Sequence, residues 1–140
     1  MSTKTKSLIV LILRLVAAGI LMQTLFFKFT GAPESKFIFS TLGVEPWGRW
    51  FAGFSELIAA ILLLVPRTQV LGAVMALGVM FGALASHLFI LGIVVQNDGG
   101  LLFGLALAVT LSCAGIILLR QDELVSWVQH GLSLISTKRK

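Results

Sequence analysis

Four uninterrupted apolar segments dominate this sequence of 140 residues and restrict what it can fold into. They span residues 8–27, 47–65, 70–95 and 100–119, and each has about the 20 residues that a helix needs to cross a bilayer. Lipid offers no hydrogen-bond partners, so a chain at that depth must form helices or a closed barrel. Because none of the four segments alternates apolar and polar residues as barrel strands do, we predict an all-α fold: a four-helix transmembrane bundle in a single domain.

The composition also indicates a lipid environment. Hydrophobic residues make up 57% of the chain and charged residues 12%, whereas soluble domains have about 25% charged residues. The net charge of +5 forms no basic patch interleaved with aromatic residues, so no nucleic-acid partner is expected. Cys113 is the single cysteine, which excludes an intrachain disulfide and a CxxC redox pair.

The first apolar segment follows Lys4 and Lys6, an arrangement that also begins secretory signal peptides. The segment is longer than a signal-peptide apolar region, and no A-x-A cleavage site follows it. We therefore expect it to be retained as the first span.

The basic residues predict an orientation. One side of the bundle carries Lys4, Lys6, Arg67, Arg120, Lys138, Arg139 and Lys140. The other side carries Lys36 and Arg49, and Lys28 lies at the edge of that side. Arg49 is expected to lie at the membrane interface. The positive-inside rule then places both termini in the cytoplasm and the protein in the cell (inner) membrane.

Residues 122–135 show a weaker helical pattern after the last span. Apolar side chains fall on one stripe, namely Leu124, Trp127, Val128, Gly131, Leu134 and Ile135. This pattern predicts a short helix lying in the membrane interface. A frayed tail is the alternative. We expect His130 to be solvated.

Ionisable residues at membrane depth are the most informative ones, because each costs about 2.5–3.5 kcal/mol near a helix centre. Arg14, Lys28, Glu56 and His87 meet this description. At 1.5 Å per residue, Glu56 and His87 both lie about 14–15 Å from the outer end of their spans. The two side chains are therefore expected at matched depth.

A buried carboxylate must be paired or neutralised. By the same arithmetic Arg14 lies about 6 Å below Glu56, whereas Lys28 lies about 15 Å above it. A guanidinium can bridge the shorter gap and bind a carboxylate bidentately. We therefore predict an Arg14–Glu56 pair with His87 beside it, while Lys28 extends toward the outer surface.

Two interpretations of this cluster stay open. The charges can simply neutralise one another and fix the helix register, or they can form a polar ligand pocket or a proton relay. No metal site is predicted, because no second His or Cys stands at ligand spacing from His87. Asp98 precedes the fourth span, where it is expected to cap the helix or to close the outer mouth of a pocket.

Small residues recur at packing spacing in Gly78-x-x-x-Gly82 and Gly100-x-x-x-Gly104. Such stripes allow helix backbones to approach closely. Packing within the bundle is the expected explanation, ahead of a dimer contact.

Several of these residues together resemble the DoxX family of small four-helix membrane proteins. They are Arg14, Lys28 with Gly31, Gly43-x-x-Pro46, Glu56 and the pair Ser86-His87. The resemblance extends over about residues 13–120. One departure is that Lys28 precedes Gly31, whereas the family commonly places its Gly first.

The resemblance implies an accessory component of a redox, quinone or thiol-stress system, which includes the role of membrane subunit in an oxidoreductase complex. It also implies a membrane or redox protein as partner and a quinone-like ligand at the Arg14, Glu56 and His87 cluster. No autonomous activity and no resident cofactor are expected, since the sequence contains no nucleotide-binding motif. The alternative is a non-catalytic binding or assembly protein of chaperone type. A homo-oligomer stays open, and a minimal transporter is disfavoured because the spans contain no broken helix.

Overall fold

The computed structural model describes residues 1–138, and these residues form helices joined by short connections. The helices are α1 (Thr3–Thr30), α2 (Pro33–Thr41), α3 (Trp47–Leu64), α4 (Gln69–Ser86), α5 (Leu101–Leu119) and α6 (Gln121–Thr137). A π-helical turn, His87–Leu91, extends α4. The predicted all-α class is thus confirmed. Arg139 and Lys140, which contribute to the orientation prediction, lie outside the described residues.

Four helices are long and apolar enough to cross a membrane: α1, α3, α4 with its π turn, and α5. They alternate in direction and pack in a ring in which α1 contacts α3, α3 contacts α4, α4 contacts α5, and α5 closes the ring on α1. This is the architecture of a multi-pass membrane protein. The short turn of residues 65–68 requires α3 and α4 to be antiparallel neighbours.

The two ends of the bundle differ. One end holds the start of α1, the turn between α3 and α4, and the helix α6; we call it the terminal end. The other end holds α2 and residues 92–100; we call it the loop end. Small and branched residues fill the core between the helices, among them Ala17, Ala59, Ala73, Val109 and Ile116.

The helix bounds differ from the expected segments at three places. α1 is longer than residues 8–27 because Ser2 caps its start and Gly31, with φ of 65°, ends it. The third span stops at Leu91 rather than at residue 95, since Gly92 leaves the helix with φ of 82°. Between the first two segments, Pro33–Thr41 forms a further helix, α2, with Pro33 in the first turn, where its missing N–H costs nothing.

The C-terminal segment is helical over Gln121–Thr137, so the predicted helix is confirmed and the frayed tail is wrong. None of its residues is buried. Its apolar face, which includes Val128, Leu132 and Ile135, is open to the surroundings.

The spacing between α3 and α4 changes along their length. Near the turn the helices touch: a Cβ at Gly72 would lie 2.6 Å from the backbone nitrogen of Leu63. Farther along α4, a Cβ at Gly78 or Gly82 would have no neighbouring atom within 4 Å. The expected packing role of the Gly78 and Gly82 stripe is therefore wrong. The two helices separate toward the loop end, and a cavity occupies the gap.

Candidate functional site: a cavity at the loop end

The cavity has a volume of about 520 Å³ and is bounded by α1, α3, α4 and α5, with α2 across its end. This size lies within the range of small-molecule sites, about 300–1,000 Å³. Most of its wall is apolar, and its polar side chains include Thr24, Lys28, Ser55, Glu56, Ser86 and His87. Lys28, Glu56 and His87 are the predicted site residues that the structure brings to this cavity.

An ion pair forms the polar wall on α1 and α3. Nζ of Lys28 lies 3.0 Å from Oε2 of Glu56, and the hydroxyl of Thr24 donates to the same oxygen at 3.0 Å. Glu56 is only 4% exposed. The expectation that Lys28 would extend toward the surface is therefore wrong, because its side chain turns inward to the carboxylate.

Arg14 does not take part in this ion pair. Its Nε donates to the carbonyl oxygen of Leu63 at 2.6 Å, and its Nη2 donates to that of Leu64 at 2.5 Å. Carbonyls in the last turn of a helix lack partners within the helix, and a cation there also complements the helix dipole. Arg14 thus caps α3 at the terminal end, and the predicted Arg14–Glu56 pair is wrong.

One geometric rule explains both errors. Side chains on a helix lean toward its N-terminus, which for α1 is the terminal end of the bundle. Arg14 is thereby directed away from Glu56 and toward the end of α3, whereas Lys28 is directed from the loop end into the bundle. Depths counted along the helix axis describe backbone positions only. They do not include the displacement of the side-chain ends toward the N-terminus of α1.

His87 lies in the cavity wall at the start of the π-helical turn and is buried. Its Nδ1 lies 2.8 Å from the carbonyl oxygen of Gly92. A carbonyl oxygen can only accept, so Nδ1 carries the proton and Nε2 of the neutral ring is an acceptor. The ring meets Phe103 edge-on, with 5.7 Å between centroids. Glu56 and His87 therefore line one cavity, as their matched depth indicated, without a hydrogen bond between them in residues 1–138.

Asp98 lies outside the cavity wall and organises the loop before α5. Its carboxylate accepts from the backbone N–H groups of Val95, Gly100 and Leu102 at 2.9, 2.9 and 3.0 Å. Desolvation alone would raise the pKa of Asp98, but these three donors bring the pKa below its usual value. These hydrogen bonds confirm the capping role, and the role in closing the outer mouth of the pocket stays a prediction.

Arg49 was expected at the outer interface but is 5% exposed. Its Nε donates to the carboxylate of Glu45 at 2.9 Å, and its Nη1 donates to the carbonyl oxygen of Lys28. This guanidinium holds the C-terminal end of α1, just as Arg14 holds that of α3. The backbone that carries Lys28 is therefore fixed in place beside the cavity.

Sequence reasoning missed two parts of the wall. Thr24 lies one turn before Lys28 on the same face of α1, a spacing that signals a neighbour of Lys28. Glu34 and Ser35 line the cavity from α2, and no signal indicated them, because the helix that places them was not expected.

The cavity opens sideways between α3 and α4. Gly78 and Gly82 line it and are exposed. Phe51, on the facing edge of α3, is 71% exposed. Because these helices span the membrane, the opening faces lipid rather than water.

The site thus combines an apolar chamber, a lateral opening to lipid, an ammonium–carboxylate pair and an imidazole acceptor. Comparison of the chain with family models, curated proteins and solved structures finds no match. What the site can do follows from these side chains and their surroundings.

Proposed function

We propose that the cavity binds a small lipophilic molecule of the quinone class, which it receives from the bilayer, and that the protein is a membrane-bound accessory component of a redox system. The observation that carries this proposal is the Lys28–Glu56 ion pair in the wall of a largely apolar cavity of about 520 Å³.

The apolar wall makes the cavity compatible with a lipophilic ligand but supplies little of the binding free energy. The gain of about 25 cal/mol per Å² applies to apolar surface removed from water, whereas a ligand already dissolved in lipid enters through the gap at Gly78 and Gly82 without crossing water. The preference for a ligand over lipid must therefore come from the polar groups.

Lys28 supplies hydrogen-bond donors for a carbonyl oxygen. An ammonium group has three N–H donors, and within residues 1–138 Nζ contacts only the carboxylate of Glu56. The remaining donors can reach an acceptor in the cavity. A quinone carbonyl is an acceptor of this kind, whereas an alkyl chain is not.

His87 supplies the complementary acceptor. With Nδ1–H committed to Gly92, Nε2 can accept a hydrogen bond from a ligand hydroxyl. A quinone presents carbonyl acceptors, and its reduced form presents hydroxyl donors. Lys28 and His87 together suit both forms, and this supports a quinone-type ligand over a plain hydrocarbon.

The resemblance to the DoxX family supports the redox setting. The protein would hold the ligand in the cell membrane, with both termini in the cytoplasm, while a partner enzyme supplies or removes the electrons. The bundle itself binds and orients the ligand.

Fluorescence quenching of Trp47 tests the proposal. Trp47 lines the cavity, and a variant carrying Trp50→Phe and Trp127→Phe retains it as the only tryptophan. Titration with a short-chain quinone in detergent should quench this fluorescence with a saturable curve. A matched variant that retains only Trp127, which lies at the opposite end of the bundle, should show only linear collisional quenching.

The paired substitution Lys28→Met with Glu56→Gln removes both charges and leaves no unpaired one behind. Because a hydrogen bond to a charged group is worth about 1.5–3 kcal/mol, we expect the quinone affinity to fall at least about tenfold while the thermal unfolding midpoint is kept. Linear quenching of Trp47, or an unchanged affinity in the paired variant, would overturn the proposal.

A further inference from the structure

A second polar site lies at the terminal end of the bundle, far from the cavity. It is a groove where α4 and α6 begin, and its lining includes Arg67, Gln69, Arg120, Asp122, Glu123 and Trp127. The proposed quinone site uses none of these residues.

Gln69 has an unsatisfied hydrogen-bonding group in this groove. The residue is 4% exposed, and its Nε2 donates to the carboxylate of Glu123 at 3.2 Å. Its Oε1 is buried and has no partner within residues 1–138. A buried carbonyl oxygen without a donor costs about 1–3 kcal/mol, so the groove is suited to a ligand that brings an N–H or O–H group.

Arg120 has the opposite requirement. Its Nη2 donates to Ser7 at 3.2 Å and its Nη1 lies 3.5 Å from Glu123. Its Nε–H is buried and has no acceptor in the described part of the chain. The same groove therefore also requires an acceptor.

The groove also contains charged residues of both signs. Arg67 and Arg120 are cationic, and Asp122 and Glu123 are anionic. Neither α4 nor α6 has a side-chain cap at its start, so their N-terminal N–H groups attract an anion. The complement is a zwitterion whose anionic group accepts hydrogen bonds and whose cationic group donates them.

The groove lies where membrane spans begin and end. α4 begins at Gln69 and α5 ends at Leu119. Trp127 also lines the groove, and tryptophan is enriched at membrane interfaces. A ligand here would be at the level of lipid headgroups.

We propose that this groove binds the headgroup of phosphatidylethanolamine, with the phosphate at Arg67 and Arg120 and the ammonium at Gln69 Oε1 and Glu123. A choline headgroup has no N–H to donate and would leave Gln69 Oε1 unsatisfied.

Native mass spectrometry of the delipidated full-length protein tests this proposal. The protein is incubated with equal amounts of phosphatidylethanolamine, phosphatidylcholine and phosphatidylglycerol, and the retained lipid is identified. We expect phosphatidylethanolamine to be retained at least about tenfold over phosphatidylcholine, as expected for one hydrogen bond to a charged group. Equal retention of the two, or preferential retention of phosphatidylglycerol, would overturn the proposal.

Two variants locate the binding. Arg67 lines the groove and is exposed, so Arg67→Gln should lower the retention of phosphatidylethanolamine without affecting folding. Gln69→Met should remove the preference over phosphatidylcholine. Lys36→Gln at the loop end removes the same charge and should change nothing. Unchanged retention in Arg67→Gln would contradict the proposed phosphate contact.

Soluble phosphoethanolamine distinguishes headgroup recognition from a phosphate site. It should displace the bound lipid, whereas inorganic phosphate should not, and displacement by phosphate alone would overturn the proposal. Trp47 quenching by quinone is measured separately, so failure at one site is distinguishable from failure at the other.

Discussion

At the residue scale, the loop before α5 depends on a single carboxylate. Asp98 accepts three backbone hydrogen bonds and caps the helix. Because a lost N-cap costs about 0.5–2 kcal/mol, we expect Asp98→Ala to lower the free energy of unfolding by about 1 kcal/mol or more. Thermal unfolding in detergent measures this loss. Asp122→Ala, in the exposed first turn of α6, is the control and should have little effect.

The lowered pKa of Asp98 predicts a pH dependence. Since the folded pKa lies below the unfolded value of about 3.9, the stabilisation is fully present above that value and is lost as pH falls through the folded pKa. The wild type should therefore lose more stability below about pH 4 than Asp98→Asn, which cannot ionise. Identical pH profiles for the two proteins would contradict this assignment.

Arg14 stabilises the end of α3 rather than a carboxylate. Its loss leaves the carbonyls of Leu63 and Leu64 without their charged donor, so Arg14→Met should reduce the free energy of unfolding by about 1.5–3 kcal/mol. The exposed Arg67→Met is the matched control. A double-mutant cycle with Glu56→Gln should be additive, because the two residues share no contact, and a coupling of more than about 1 kcal/mol would support the pair that the structure rules out.

The difference between the expected and observed partners of Glu56 shows what sequence reasoning lacked at this scale. The sequence places a carboxylate and two cations on adjacent spans, and burial requires that the carboxylate be paired. The cation that pairs with Glu56 is determined by the direction of the side chains along α1 and by the continuation of α1 to Thr30. The pattern of apolar residues in the sequence indicates neither of these two features.

At the element scale, the separation of α3 and α4 creates the cavity. The helices are held close at Gly72 and diverge past Gly78 and Gly82. The same residue type thus has opposite roles along one helix: close approach at the terminal end and open space at the loop end.

This contrast gives a matched pair of substitutions. Gly82→Leu adds a side chain to open space in the cavity wall, so it should keep or raise stability, because leucine favours the helix by about 1 kcal/mol over glycine, while quinone binding weakens. Gly72→Ala meets the backbone of Leu62 and Leu63 and should destabilise the bundle. Thermal unfolding and Trp47 quenching report the two effects. Unaltered quinone affinity in a folded Gly82→Leu protein would contradict the proposed position of the ligand.

The long helices could be predicted from the sequence, whereas the short helix α2 could not. A membrane span requires about 20 apolar residues, a signal strong enough to show all four spans. The nine residues of α2 carry no comparable signal, and the polar residues that this helix adds to the cavity were missed with it.

At the scale of the whole molecule, the alternating helices place the N-terminus, the α3–α4 turn and α6 at one end. In a Cys113→Ser background, cysteines introduced at Ser2 and Ser126 should react with a membrane-impermeant maleimide from the same side. A cysteine at Gln96 should react only from the other side. The positive-inside rule further predicts that the side shared by Ser2 and Ser126 is the cytoplasm. Labelling of Ser2 and Gln96 from one side would contradict the bundle's topology.

The proposed function requires that a lipophilic ligand occupy the cavity at the loop end. Photolabelling with an azido-quinone in lipid nanodiscs, with the modified residues mapped by mass spectrometry, tests this most directly. We predict saturable labelling of cavity residues such as Ser55, Ser86 and Trp47, which excess unlabelled quinone suppresses and Gly82→Leu reduces. Labelling confined to lipid-facing residues such as Leu111 and Leu118, without competition by unlabelled quinone, would contradict the account.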